Sequence, residues 1–208
     1  MHNFVFFVQN INKLIMYNIA ILASGNGSNA ENICRYLEGN KNISPKLIIS
    51  NKSDAFVHER ARNLEIPSVT FSKKEFDDGE AIVKLLLEHN IDFIVLSGFL
   101  LKISEVILHA YPNRIMNIHP ALLPKYGGKG MYGDNVHKAV KANNEKETGI
   151  TIHYVNDNYD EGDIIFQERV AIENMDTPDS IAQKVHQLEY KHFPSIIEKT
   201  IIQEFSKK

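Results

Sequence analysis

The chain has 208 residues, of which 43% are hydrophobic and 24% are charged, and its formal net charge at pH 7 is −3. These values are typical of one globular domain, and the small negative charge provides no general attraction to nucleic acid or to anionic membranes. A single cysteine, Cys34, excludes an internal disulfide and indicates a cytoplasmic protein in which this thiol is packed in the core.

The first 15 residues differ from the rest of the sequence. They are apolar, but the run from Phe4 to Val8 is too short for a signal peptide or a membrane span, and no basic segment precedes it. Met16 stands directly before the first clear strand pattern. We therefore predict a peripheral extension over residues 1–15 and a single domain over residues 16–208, and hypothesise that Met16 is the natural start.

From Tyr17 onward, apolar runs typical of strands alternate with segments of helical periodicity. The predicted strands are Asn18–Ser24, Lys46–Asn51, Ser68–Phe71, Asp92–Gly98, Asn113–Ile118, Thr148–Val155 and Asp163–Ile172. The predicted helices are Asn29–Glu38, Asp54–Leu64, Asp78–His89, Ser104–Ala110 and Ser180–Lys199. This order predicts a doubly wound α/β fold of Rossmann-like type, with a mostly parallel sheet, antiparallel C-terminal strands and a final helix.

Ligands of such sheets bind beyond the carboxyl ends of the strands. Three segments lie at these ends and should therefore meet: Ser24–Asn29, Gly98–Ile103 and Asn117–Pro124. The first of them reads SGNGSN and opens a helix. Its glycines allow close backbone approach to a ligand, and free N–H groups at a helix N-terminus attract anions, so we predict a site for one terminal phosphate. The alternative is a plain tight turn with a Ser or Asn helix cap.

Asn117 and His119 alternate at the end of a predicted strand, so both side chains can face the same crevice. An Asn amide can donate to a developing oxyanion, and a His can exchange a proton near neutral pH. An acidic loop follows between the two late strands, and a carboxylate there could favour the protonated form of His119. Local pattern leaves four candidates for that carboxylate: Asp157, Asp160, Glu161 and Asp163. No Cys/His cluster has the spacing of a metal site.

Four motifs occur in this order: SGNGSN, LSGFLLKIS, NIHPALLPKYGG and YDEGDIIFQ. Together they closely resemble the folate-dependent phosphoribosylglycinamide formyltransferase family of purine biosynthesis, from Tyr17 to the last helix. The resemblance implies transfer of the formyl group of 10-formyltetrahydrofolate to the amine of 5-phosphoribosylglycinamide, without a metal. It also implies a cis peptide bond at Leu123-Pro124. We expect a cytoplasmic monomer or homodimer that acts on small molecules, not on nucleic acid or a membrane.

The resemblance also implies roles for individual residues. The implied catalytic residues are Asn117, His119 and Asp160. The implied ribonucleotide-binding residues are Gly27, Ser28, Asn29, His186 and Glu189. The implied folate-binding residues are Phe99, Leu100, Leu101, Lys102 and Ile103, together with Asn117. The sequence departs from many relatives at Leu101, next to Lys102, and at Gly79 in FDDGE, since both positions often carry Arg in the family.

Related enzymes share part of this pattern. A formyltetrahydrofolate deformylase normally carries an extra N-terminal regulatory domain, and a methionyl-tRNA formyltransferase an added C-terminal one. The 15 residues before Met16 are too few for such a domain, although a deformylase-like hydrolase is kept as the alternative. A non-enzymatic nucleotide-binding module would explain the glycine loop but not Asn117, His119 and Asp160.

Overall fold

The structure, a computed structural model, describes residues 16–206. The strands are β1 (Tyr17–Leu22), β2 (Ile43–Ser50), β3 (Ser68–Thr70), β4 (Phe93–Leu96), β5 (Ile115–His119), β6 (Glu147–Tyr154) and β7 (Ile164–Ala171). The helices are α1 (Ser28–Tyr36), α2 (Val57–Asn63), α3 (Lys73–Asp78), α4 (Glu80–Glu88), α5 (Glu105–Ala110), α6 (Asp134–Ala142) and α7 (Pro178–Ser206). The predicted peripheral extension, residues 1–15, lies outside the described residues.

The seven strands form one sheet in the order β3-β2-β1-β4-β5-β6-β7. Strands β1 to β5 pair in parallel, while β6 is antiparallel to both β5 and β7. The chain therefore reverses its direction of winding between β1 and β4, which is where doubly wound sheets bind ligands. The predicted fold class is confirmed.

Alternate residues of the central strands pack on opposite faces of the sheet. Ile19 and Ile21 belong to a core cluster that includes apolar residues of α1 and α7. Ala20 and Leu22 belong to a second cluster, which includes Phe76 and apolar residues of α4 and α5. Because successive strand side chains point to opposite faces, strands buried on both faces read as continuous apolar runs.

Two helices were not predicted, α3 and α6. Helix α3 is short and polar, with only Phe76 of its six residues buried, so its apolar periodicity is too weak to indicate a helix. A capping box of Ser72 and Glu75 starts it, and Gly79, with φ +82°, separates it from α4. The single helix predicted over Asp78–His89 is therefore wrong at its N-terminus. Helix α6 follows the glycine-rich segment, and the sequence analysis assigns no element to it.

Helix α7 begins at Pro178, two residues before the predicted start, and continues past Lys199 to Ser206. The Ser180 N–H donates to Thr177 Oγ1 at 3.2 Å, so Thr177 caps the helix and Pro178 takes its first position. Every fourth residue along the buried side of α7 has very low exposure: Ile181, Val185, Glu189, Phe193, Ile197 and Ile201. Glu189 is thus a carboxylate within an otherwise apolar stripe.

Two further sequence predictions can be compared with the structure. The Leu123-Pro124 peptide bond is cis, as predicted. Cys34 is buried, and this burial raises the pKa of its thiol to about 12, which makes it an unreactive packing residue. Across residues 16–206, no helix has both the length and the apolar composition that a membrane span requires.

Candidate active site

A cavity of about 480 Å³ lies at the carboxyl ends of β1, β4 and β5. All the residues to which the sequence assigned a site role line it: Gly27, Ser28, Asn29, Phe99, Leu100, Leu101, Lys102, Ile103, Asn117, His119, Asp160, His186 and Glu189. The three segments predicted to meet therefore do so. The cavity is also lined by residues 128–134, which lead into α6.

The glycine loop turns sharply from β1 into α1. Gly27 has φ +73°, and a Cβ at this position would overlap the side chain of Val57. Helix α1 starts at Ser28, and no side chain among the described residues caps it. The alternative of a side-chain-capped turn is thus not what the structure contains. The uncapped N–H groups of a nine-residue helix, next to the Ser28 hydroxyl, form a suitable anion site.

One end of the cavity is organised around Glu189. Its side chain is 6% exposed, and its Oε2 accepts hydrogen bonds from Asn29 Nδ2 and from His186 Nδ1, both at 2.8 Å. The hydrogen bond to Glu189 raises the pKa of His186. A buried carboxylate next to an anion-binding loop is suited to accept hydroxyl hydrogen bonds from a bound sugar.

The opposite end of the cavity follows β4. Phe99 and Ile103 are buried, whereas Leu100 and Lys102 are exposed at its edge, and the Leu100 N–H donates to Ser24 Oγ at 2.9 Å. Gly79 lies elsewhere, at the junction of α3 and α4. A Cβ there would overlap Ser104 Oγ and contact Val106, so this backbone has no room for the Arg that relatives often carry.

Asn117 is held by a residue that the sequence did not single out, His153. The two residues pair across β5 and β6, and Asn117 Nδ2 lies 3.2 Å from His153 Nε2. His153 Nδ1 lies 2.8 Å from the Tyr154 carbonyl, which can only accept, so Nδ1 carries a proton. With the proton on Nδ1, Nε2 can accept from Asn117 Nδ2, and this contact orients the amide.

His119 is 3% exposed; one of its ring nitrogens makes a hydrogen bond, and the other faces a carboxylate. Nε2 donates to the Tyr126 carbonyl at 2.7 Å, and Nδ1 lies 3.5 Å from Asp160 Oδ2. Burial lowers the pKa of His119 below its ordinary value, while Asp160 and the Tyr126 carbonyl oppose this without reversing it. The expected effect of Asp160 on His119 is present, but desolvation outweighs it, and the ring is neutral at pH 7.

Asp160 is the acidic residue that faces His119. Its Oδ2 accepts from the Gly128 N–H at 2.9 Å, and its Oδ1 lies 3.6 Å from His153 Nε2. Burial alone raises the pKa of Asp160, but His153 and His119, in their protonated forms, and the Gly128 N–H together lower it, so the carboxyl group is ionised at neutral pH. Its backbone has φ +56°, in the left-handed region. Of the four carboxylates left open by the sequence, only Asp160 lines the cavity.

Two histidines in the site were missed from the sequence. His153 sits in a run read as a strand, and its role depends on pairing with β5, which is not a local signal. His137 is on α6, 2% exposed and with its ring 6.5 Å from that of His186. Its Nδ1 is buried and has no hydrogen-bond partner among the described residues. Within residues 16–206, no group of three or more His, Cys, Asp or Glu side chains is placed to hold a metal ion.

Comparison with known proteins gives one family. A family profile described as formyl transferase matches residues 17–197. The phosphoribosylglycinamide formyltransferase of Bacillus subtilis is 38% identical over 191 residues, which cover 89% of this chain and 95% of that protein. The chloroplastic phosphoribosylglycinamide formyltransferase of Arabidopsis thaliana is 40% identical, and the match covers 86% of this chain and 63% of the relative's length.

A solved structure agrees with these sequence matches. The crystal structure of phosphoribosylglycinamide formyltransferase from Bacillus halodurans superposes with a TM-score of 0.81 at 36% identity, covering 88% of this chain and 95% of that one. The family profile, which matches residues 17–197, extends over the sheet, the cavity and most of α7. The chain therefore belongs to the formyl transferase family and, within it, to the phosphoribosylglycinamide formyltransferases.

Proposed function

We propose that this chain transfers the formyl group of 10-formyltetrahydrofolate to the amine of 5-phosphoribosylglycinamide, a step of purine biosynthesis. The observation that carries the proposal is one cavity that joins an anion-binding loop to the Asn117, His119 and Asp160 side chains. The phosphate of the ribonucleotide binds at Gly27, Ser28 and the start of α1. Its ribose lies near Glu189, His186 and Asn29, which directs the amine toward His119.

The folate occupies the end formed by residues 99–103. Phe99, Leu101 and Ile103 offer apolar contacts to its ring, and the exposed Lys102 offers a positive charge at the edge of the cavity. This arrangement brings the formyl group next to Asn117. Both substrates are then held by elements that follow neighbouring strands of the sheet.

The reaction requires a donor for the oxygen that becomes negative. When the amine attacks the formyl carbon, a C–N bond forms and the formyl oxygen becomes an oxyanion, which Asn117 Nδ2 stabilises with its second hydrogen. His153 already takes the first hydrogen, so the amide cannot present its oxygen instead. A donor of this kind typically lowers the barrier by about 3 kcal/mol.

The proton of the attacking amine must reach the leaving nitrogen of the folate. Neutral His119 has a free lone pair at Nδ1 and accepts the proton there, because Nε2 is occupied by the Tyr126 carbonyl. The ionised Asp160 then stabilises the imidazolium across the 3.5 Å contact. Return of the proton to the folate nitrogen, with cleavage of its bond to the formyl carbon, completes the transfer.

A direct test follows folate absorbance with and without the ribonucleotide. We expect tetrahydrofolate to form only when 5-phosphoribosylglycinamide is present, together with formylated ribonucleotide in equal amount. Release of formate in its absence would instead identify a deformylase-like hydrolase. The cytoplasmic location and the monomeric or homodimeric state stay predictions, to be checked by fractionation and by analytical ultracentrifugation.

A further inference from the structure

Arg60 on α2 makes several contacts with the glycine loop and α1. Its Nε donates to the Asn26 carbonyl at 2.8 Å, and its Nη2 donates to Asn26 Oδ1 at 2.7 Å. A third nitrogen, Nη1, pairs with Glu31 on α1. The guanidinium also lies over the ring of Phe56, 5.0 Å from its centroid. Arg60 therefore binds the glycine loop through both oxygens of Asn26, the backbone carbonyl and the side-chain amide oxygen.

The rest of the loop is fixed by α2 in a complementary way. The Val57 N–H donates to the Gly25 carbonyl at 3.1 Å, and Val57 packs where a Cβ of Gly27 would be. The Glu31 N–H donates to the Gly27 carbonyl at 2.9 Å, which begins α1. Asn26 is the residue between these two fixed glycines, so its conformation decides how the loop N–H groups point into the cavity.

Arg60 does not line the cavity, whereas Asn26, Gly27 and Ser28 do. Its side chain is 23% exposed, and its charge is matched by Glu31, whose pKa is lowered by Arg35 and Arg60. The guanidinium is therefore outside the reach of a phosphate bound in the cavity, and its charge is partly offset by Glu31, which also pairs with Arg35. The distinctive property of Arg60 is its planar guanidinium, which donates to two acceptors in a fixed geometry, as a lysine ammonium cannot.

We propose that Arg60 is a positioning residue that fixes the phosphate loop through the two oxygens of Asn26. The proposal rests on the proposed function only in naming the ribonucleotide phosphate as the anion that the loop holds. It assigns to α2, which contributes no side chain to the cavity, the task of preparing the loop before the substrate arrives. A prepared loop has less conformational entropy to lose when the phosphate binds.

The test compares Arg60→Met, which removes both the planar guanidinium and the charge, with Arg60→Lys, which keeps the charge but has no planar guanidinium. Arg62→Met is the matched control, since Arg62 is on the same helix, is 72% exposed and pairs only with Glu59 among the described residues. We expect both Arg60 variants to raise KM for 5-phosphoribosylglycinamide about 10-fold. Their kcat and their KM for the folate should stay within about twofold of the wild type, as should all three values in Arg62→Met.

Three results would overturn the proposal. An unchanged ribonucleotide KM in Arg60→Met means that the loop does not need the contact. Full recovery in Arg60→Lys means that charge alone matters. An equal loss in kcat and in both KM values means general damage to the fold.

A second measurement separates this proposal from the proposed function. Binding of ribose 5-phosphate, measured by calorimetry, needs no catalysis and no folate. Weaker binding to both Arg60 variants than to the wild type and Arg62→Met supports the role of Arg60, even if the wild type fails to formylate the ribonucleotide. Equal binding to all four proteins, or no binding to the wild type, overturns it.

Discussion

His119 and His186 line the same cavity, but their surroundings move their pKa values in opposite directions. Burial lowers the pKa of His119. By contrast, the hydrogen bond between the His186 ring and Glu189 raises the pKa of His186. In the proposed mechanism, His119 therefore begins as the proton acceptor, and His186 carries positive charge more readily, near the glycine loop. Two residues of one type thus differ in charge because burial governs the pKa of His119 and the hydrogen bond to Glu189 governs that of His186.

Asp160 should control the protonation of His119 at the residue scale. Its carboxylate raises the pKa of His119, so Asp160→Asn should lower that pKa further and destabilise the imidazolium. We expect kcat to fall about 100-fold or more, with a much smaller change in ribonucleotide KM. The pKa is measured by NMR titration of the His119 ring, and kcat by the absorbance assay.

The control for this prediction is Asp157→Asn, the same charge change at an exposed position of the same loop. The Asp157→Asn substitution should leave both the pKa of His119 and kcat unaltered. The double variant Asp160→Asn/His119→Ala should be little worse than His119→Ala, because groups that act as a unit are not additive. Additive losses in log kcat would mean that Asp160 acts independently of His119.

His153 should matter through Asn117. Replacement by Phe removes the acceptor at Nε2 and frees the amide to rotate, so we expect kcat to fall about 10-fold. His153→Gln keeps an oxygen acceptor and should recover part of that loss. Steady-state kinetics give the comparison, and a Phe variant with normal kcat would show that the amide needs no support.

At the scale of elements, the register of β5 and β6 sets the relative positions of the proposed catalytic residues. The fully buried Thr151 sits opposite His119, and its Oγ1 donates to the Ala121 carbonyl at 2.7 Å and accepts from the Leu123 N–H at 3.0 Å. Since strand side chains alternate, a shift of one residue would turn His153 away from Asn117. One hydroxyl thus connects the sheet to the loop that follows His119.

The loss of this hydroxyl should be costly. Thr151→Val keeps the volume but leaves a buried N–H and a buried carbonyl without their partner, so the free energy of unfolding should fall by about 3 kcal/mol. Thr148→Val is the control on the same strand, because the buried Thr148 Oγ1 has no partner among the described residues. Urea denaturation should show little change or a gain for it. Equal losses in both variants would contradict this account.

The elements also show what sequence reasoning can reach. The buried parallel strands were predicted because continuous apolar runs such as Phe93–Leu96 have few other interpretations. Helix α3 was not, since Phe76 is its only buried residue. Asp160 could be chosen only by family resemblance, because its neighbours in the loop are equally acidic. Its left-handed backbone conformation, which directs the carboxylate toward His119, has no local sequence signal. His153 was missed because strand pairing, not spacing, places it beside Asn117.

At the scale of the whole molecule, the candidate site depends on contact between α1 and α7. Asn29 and Glu189 are joined by a 2.8 Å hydrogen bond. Glu198, farther along α7, accepts from Tyr36 and Asn40 but does not line the cavity. Both carboxylates therefore connect the same parts of the fold, while only one can contact a ligand.

This difference predicts how ligand binding stabilises the variants. For the wild type, a ribonucleotide concentration of 100 times Kd should raise the free energy of unfolding by about 2.7 kcal/mol. At that same concentration, Glu189→Gln should show a much smaller increment and Glu198→Gln an almost normal one. Denaturation with and without ribonucleotide measures both. Equal increments would show that Glu189 does not contact the ligand.

The hydrogen bond between Asn29 and Glu189 spans 160 positions of the chain. On a ribosome that adds about 5–20 residues per second, the glycine loop is made roughly 8–30 s before Glu189, which completes this end of the cavity. Throughout that interval, the apolar face that α7 will cover is open to water and to other nascent chains. A polypeptide stalled before α7 should thus bind chaperones but not ribonucleotide, and competence to bind it should arise only as the last helix is released.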